Sequence, residues 1–262
     1  MTDEIKTTAT ARSPLRRIGV VGAGRLGTTL ASALRQAGHQ VEGPAGRGGT
    51  AAGEIVILCV PDAEIPAAAA AVAGTADLVG HTSGATPLAA LAAAGGAAFG
   101  LHPLQTFPSP VEAEALARFA GVGCAVAGST EAALATADEL ARSLGMRPFA
   151  IDDAGRAAYH AAASMASNFL VTLQAAAERL AAGAGLEPAE ARELLAPLVR
   201  TTVENWASRG PEEALTGLVA RGDRQTVAAQ RQAVADTAPE LLALFDELVE
   251  RTEALAGARV PA

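Results

Sequence analysis

One glycine-bearing run constrains this chain more than any other feature: Arg17-Ile-Gly-Val-Val-Gly22-Ala23-Gly24-Arg25-Leu26-Gly27, followed by TTLASALRQAGHQV. The run closes a short apolar segment that reads as a strand, opens a helical segment ending at Gly38, and leads to a second strand around Val41. Gly22 permits a tight turn, Gly24 lets the backbone approach a pyrophosphate, and Gly27 lets the helix pack closely on the strand. The free N–H groups and dipole of the helix's first turn then face the phosphates. In a chain with 27 glycines the bare spacing would be a structural turn. The strand, loop and helix around it are what point to a dinucleotide.

The end of the second strand selects the dinucleotide, because NAD-binding forms usually place a carboxylate there for the ribose 2′-hydroxyl. Here it reads Gln40-Val-Glu42-Gly-Pro-Ala-Gly46-Arg47, with Glu42 inside the strand and Arg47 in the loop. An arginine forks onto a 2′-phosphate and stacks on adenine, so NADP(H) is favoured. The plain alternative is a solvated loop arginine, and a deazaflavin is a further cofactor that a glycine loop accommodates.

Apolar runs and alanine-rich helical stretches alternate up to residue 151. The runs are Ile18 to Val21, around Val41, Ile55 to Val60, Leu78 to His81, Ala98 to Leu101, Val122 to Val126 and Pro148 to Ile151. This is the pattern of βαβ units. Beyond it the chain reads as helix only, with one long helix from Asp152 or Asp153 to the Gly183/Gly185 turn, helices starting near Pro188, Pro211 and Pro239, and a kink or split at Pro197. The expected architecture is an α/β Rossmann fold, doubly wound with a mostly parallel sheet, followed by an all-α domain. The expected divisions are a disordered tail at 1–15, a dinucleotide-binding domain at 16–151 and a helical substrate and dimerisation domain at 152–262.

Composition narrows the chemistry. Half the residues are hydrophobic and 3% aromatic, so alanine, leucine and valine build the core. A net charge of −8 gives no basic footprint for nucleic acid or anionic membrane. No apolar stretch approaches the roughly 20 residues that span a bilayer. With no signal-peptide pattern, a cytoplasmic protein is expected. Cys59 and Cys124 lie in apolar runs and read as buried strand thiols, and no metal framework is expected. The single lysine, Lys6, lies in the N-terminal tail, so a lysine-based mechanism is excluded and arginine supplies the cationic contacts.

Ligands of open α/β sheets bind beyond the carboxyl ends of the strands. Three such ends carry unusual residues: Cys59-Val60-Pro61-Asp62, His81-Thr82-Ser83-Gly84 and Leu101-His102-Pro103-Leu-Gln105-Thr106. Val60, Pro61 and Ser83 are candidates for the cofactor, Ser83 also for the carbonyl, and His102 for the substrate. Pro and Ser are also ordinary turn formers at such places. On the following helix Arg156, His160, Ser164 and Asn168 recur every four residues as one polar stripe. That stripe is either the wet side of an amphipathic helix or the wall of a cleft. In the second reading His160 is the general acid, with Asn168 and Ser83 orienting the carbonyl. Ser164 faces the substrate, and Arg156 or Arg221 holds its carboxylate. Tyr159 and His81 are the remaining donors, with Tyr159 about 100° away around the helix.

The segments GVVGAGRLGTTLASAL, ILCVPDAEI, HTSGATPL, GLHPLQTF, AAYHAAASMASNFLVTL and ALTGLVARGD resemble two-domain Rossmann-like oxidoreductases whose C-terminal half is a domain of unknown function. The resemblance runs over about residues 16 to 257. It implies an NADP-linked enzyme similar in plan to pyrroline-5-carboxylate reductases, ketopantoate reductases and β-hydroxyacid dehydrogenases, with a homodimer formed through the helical half. Ketopantoate reductases and β-hydroxyacid dehydrogenases use a helix lysine that this chain lacks; His160 with Asn168 occupies the comparable helix. The expected activity is NADPH-dependent reduction of a small 2-keto acid such as ketopantoate to pantoate. An imine reductase of the pyrroline-5-carboxylate type and a non-catalytic NADP(H)-binding redox sensor are the alternatives.

Overall fold

The structure, a computed structural model, describes residues 15–257. All but Leu15 of the expected tail, and Lys6 with it, therefore lies outside the described residues. Seven strands form one sheet in the order β2-β1-β3-β4-β5-β6-β7. They are β1 (Arg17–Val21), β2 (Gln40–Ala45), β3 (Ile55–Leu58), β4 (Leu78–His81), β5 (Ala97–Pro103), β6 (Gly123–Gly128) and β7 (Arg147–Ala150). The wholly buried β3 run IVIL is what a parallel strand covered on both faces requires. Each expected apolar run has become a strand. All neighbours pair in parallel except β5 with β6.

Helices cover both faces. On one side α1 (Arg25–Gln36) and, after α2 (Ile65–Ala71), α3 (Glu131–Ser143) bury Leu30, Leu34, Ala137 and Leu140 against Ile18, Ile57, Phe99 and Leu101. On the other, α2 and the 3₁₀ segment Leu88–Ala94 bury Ile65, Ala69 and Leu91 against Val56, Leu58 and Val79. Thr130 caps α3, its side chain accepting from the Ala133 N–H. His39 is a structural residue: its Nδ1 accepts from the Arg16 N–H and its Nε2 lies 3.1 Å from Ser143 Oγ. Burial pushes the Cys59 and Cys124 thiols up to about 12, which leaves both inert.

The chain divides into two compact units, residues up to Ser167 and residues from Asn168 onward. The long helix expected from residue 152 is two helices, α4 (Arg156–Ala166) and α5 (Asn168–Ala182). Ser167, at φ −122° and ψ −72°, interrupts the helical path in a Ser-Asn pair with weak helix preference. By its contacts α4 belongs with the sheet. The second unit continues with α6 (Pro188–Arg209), α7 (Pro211–Ala214), α8 (Arg224–Thr237) and α9 (Leu242–Gly257). Pro188 and Pro211 start helices as expected, Pro239 opens a 3₁₀ turn ahead of α9, and α6 runs through Pro197 unsplit.

Candidate active site

The chain passes from β1 outward to β2 and back to β3, so the crevice at the carboxyl ends of β1 and β3 is the switch point of the sheet. The glycine run lies there. Gly22 has φ +107°, and a Cβ on it would stand 2.1 Å from the Cys59 carbonyl oxygen. A Cβ on Gly27 would stand 1.8 Å from the Gly22 carbonyl oxygen. Both glycines are therefore required by close packing. Gly24 differs: a Cβ there meets nothing within 4 Å, because its α-carbon faces open space. It is the N-cap of α1 and offers no side-chain cap. The first-turn N–H groups of Arg25, Leu26 and Gly27 are thus left for a ligand. A cavity of about 570 Å³ opens beside them, bounded by Gly22 to Gly24, Gly46 to Gly49, Val60, Pro61 and Glu64. An uncapped helix end, an open glycine and a cavity of this size fit a dinucleotide's phosphates and one nucleoside.

Arg47 lines the same cavity and is 86% exposed, with Nη1 3.3 Å from Glu64 Oε1. Glu42 is turned away, its Oε1 accepting from the Ala52 N–H. Glu64 is the cavity carboxylate that sequence reasoning missed. It lies 17 positions beyond Arg47, and only the fold brings it near.

A second polar group gathers one strand further along. His81 is fully buried at the end of β4, paired with Gly100 of β5. Its Nδ1 accepts from the Ser83 N–H, which places the ring proton on Nε2. Burial above all, then the charge of Arg156, pushes its pKa down to about 4. The Pro87 carbonyl acts on the ring without completing a hydrogen bond, and Nε2 is left buried and unsatisfied. Arg156, 3% exposed, lies over Gly100: its Nε donates to Asp153 Oδ1 at 2.6 Å, and one terminal nitrogen is 3.3 Å from where a Gly100 Cβ would stand. That nitrogen too has no partner. Two buried N–H donors, one on His81 and one on the Asp153-paired Arg156, thus stand at this edge without acceptors.

His102, on the same face of β5 as Gly100, completes the group. Its Nδ1 is 2.6 Å from Tyr159 Oη, its ring lies against Gly84, and its centroid is 6.4 Å from that of His160. Burial first, then His160, Arg156 and His81, pushes the imidazole down to about 4 against the opposing pull of Asp62. Phe149 packs edgewise on the far side of Tyr159 at 5.8 Å. Burial raises the phenol to about 12, so Tyr159 keeps its proton.

The other expected residues divide. His160 is exposed and Ser164, one turn further, is half-buried, both on α4 with Arg156. Asn168 begins α5 and Arg221 lies in the turn before α8, both exposed and both in the second unit. Ser83 is occupied within its own loop: Oγ accepts from the Ala85 and Thr86 N–H groups and donates to Thr86 Oγ1. Among the described residues no three His, Cys, Asp or Glu side chains gather as a metal site, and no helix is long and apolar enough to cross a membrane.

A family model described as Domain of unknown function (DUF2520) matches residues 122–252, half of the chain. The chain belongs to this DUF2520 family. The match begins at β6 and takes in α4 with Arg156, Tyr159 and His160. No curated protein matches by sequence. Among solved structures, the DUF2520 chain is similar to a Bacteroides fragilis protein named provisionally as an NADP oxidoreductase, with 21% identity and TM-score 0.74 over 92% of this chain and 98% of that one. It is similar over the same shares to a Thermotoga maritima protein, at 25% identity and TM-score 0.73. A 1-pyrroline-5-carboxylate reductase of Streptococcus pyogenes shares 13% identity and TM-score 0.60 over 92% of this chain and 99% of that one. The fold of the DUF2520 chain is that of these proteins.

Proposed function

We propose that the chain is an NADP(H)-dependent oxidoreductase that reduces a small carbonyl acid, a 2-keto acid such as ketopantoate. One observation carries the reading: an uncapped glycine-loop helix end after β1 and a cluster of unsatisfied buried donors at β4 and β5 stand along one edge of the sheet. The name of the Bacteroides fragilis neighbour supports the cofactor. Gly22 to Gly27 would hold the pyrophosphate, and Arg47 the 2′-phosphate once it leaves Glu64, an exposed pair of small worth. When bound, NADPH supplies the hydride.

The chain's own residues supply charge and protons. Arg156 beside the neutral His81 favours a substrate carrying a carboxylate, because one terminal nitrogen of the buried guanidinium has no acceptor besides the Asp153 contact at Nε and an anion would provide one. Two groups on facing elements can protonate the product oxygen: His160 on α4, and His102 on β5 with Tyr159 behind it. Reduction of a cyclic imine is the second reading, favoured by the pyrroline-5-carboxylate reductase among the neighbours. Against it, a protonated imine nitrogen offers no acceptor to the unpartnered donors of His81 and Arg156. An NADPH-oxidation screen over 2-keto acids and cyclic imines is the test. Keto-acid turnover supports the reading, imine turnover alone transfers it to the second, and NADPH binding without either leaves a sensor.

A further inference from the structure

We propose that Tyr159 and His102 form a proton relay, with His102 Nε2 as the group that protonates the product and Tyr159 as the proton source behind it. The relay rests on the reductase reading and names the acid within it. The 2.6 Å contact joins two side chains 57 residues apart, from β5 and α4. Tyr159 is held between Phe149 and His102, at ring separations of 5.8 and 5.5 Å. His102 rests on Gly84, where a Cβ would approach three ring atoms to 2.9–3.0 Å. Gly84 is thus the one residue type that lets the imidazole lie down on the loop.

The relay fixes the direction of the bond. Tyr159 retains its proton and His102 is neutral, which allows two tautomers across this contact; the relay takes the one in which Oη donates to Nδ1 and the imidazole proton is on Nε2. Nε2 has no hydrogen bond to the described residues, yet it is not among the sealed unsatisfied atoms. It is therefore an open donor at the carboxyl edge of the sheet, beside the buried donors of His81 and Arg156.

The proton balance closes. Reduction of a carbonyl leaves an alkoxide. The Nε2 proton moves to that oxygen as the Tyr159 proton moves to Nδ1, so the ring stays neutral with its proton on Nδ1 and the tyrosine becomes a phenolate. The Arg156 charge, which acts against the burial that raises the Tyr159 pKa, stabilises that phenolate. The reset takes one proton from solvent at Nε2 and returns the Nδ1 proton to Tyr159. Exposed His160, near His102, stands on the solvent side of this path.

The test uses the full chain labelled with ¹⁵N-histidine, whose four imidazoles give few signals. His102 is assigned through His102→Gln. The relay requires the wild-type ring to carry its proton on Nε2 at neutral pH, and Tyr159→Phe to turn this into a mixture of tautomers. In turnover with the best screened substrate, Tyr159→Phe and His102→Gln should each lower kcat by at least about tenfold, with NADPH binding unchanged and the double variant little worse than either single one. A loss of kcat in His160→Ala that His102→Gln does not reproduce overturns the relay. Wild-type protonation on Nδ1, multiplying effects, or a fully active Tyr159→Phe overturns the relay and leaves the reductase standing. A wild type that binds NADPH and turns over nothing overturns the reductase reading and the relay with it, whatever the tautomer.

Discussion

In the proposed cofactor site, Arg47 is the residue on which the choice between the two nucleotides would turn. Its partner Glu64 would repel the 2′-phosphate that Arg47 would attract, so the two side chains should act in opposite directions. Arg47→Ala removes a charge-assisted contact of about 1.5–3 kcal/mol and should weaken NADPH about tenfold to a hundredfold while barely changing NADH. Glu64→Gln should tighten NADPH. Fluorescence titration of both variants with both nucleotides checks this, and an unchanged NADPH preference in Arg47→Ala would remove the arginine from the cofactor site. Much of this was readable from the sequence, since Gly46-Arg47 follows a strand. Glu64 was not, because it enters the cavity from the turn that follows β3. Ser83 shows a different side of the same reading: a hydroxyl at a strand end attracts a catalytic role, while local geometry ties it into two backbone N–H bonds and one side-chain bond.

At the scale of elements, the glycine loop separates two functions that the motif merges. Gly27→Ala would force a methyl group into the Gly22 carbonyl oxygen and should cost about 1–3 kcal/mol or more, seen as a lowered thermal midpoint. Gly24→Ala meets no atom and keeps an ordinary negative φ of −78°, so the midpoint should be nearly unchanged. Its methyl group would instead occupy the space left for a phosphate, and NADPH binding should fall. A Gly24→Ala chain that binds NADPH normally would show that the phosphates lie elsewhere. The strands themselves were legible because four-residue apolar runs bounded by turn residues have few other uses. The reversal of β6 was less so, although a signal exists. A parallel return needs a crossover of a dozen or more residues, usually a helix, and the stretch from Leu104 to Val122 carries Pro108 and Pro110 and offers only a four-residue 3₁₀ turn. The break between α4 and α5 was hidden by alanines that favour helix on both sides of Ser167.

For the molecule as a whole, apolar surface is the outstanding quantity. Phe169 and Val171 of α5 and Leu194, Leu198 and Trp206 of α6 are all more than half exposed, more than a monomeric surface usually leaves uncovered. A second copy of the chain, meeting through the helical half, is the occupant expected from the sequence. Sedimentation at micromolar concentration should give a dimer, and Leu198→Glu should shift it toward monomer without loss of helix content. A wild-type monomer would contradict this.

Because β6 runs against β5 and β7 follows it, the chain leaves the sheet at the edge opposite the glycine loop and must climb back before Tyr159 can reach His102. Helix α4 makes that return, with Arg156 over Gly100 and Tyr159 three residues on at His102. The segment is in effect a gauge whose length matters more than its lettering. One residue inserted between Arg156 and Tyr159 would swing the phenol by about 100° and part it from the imidazole. Exchanging Ala157 or Ala158, both exposed, for another helix former should pass unnoticed. Variation among natural versions of this half should therefore show substitutions in these two alanines and no gaps.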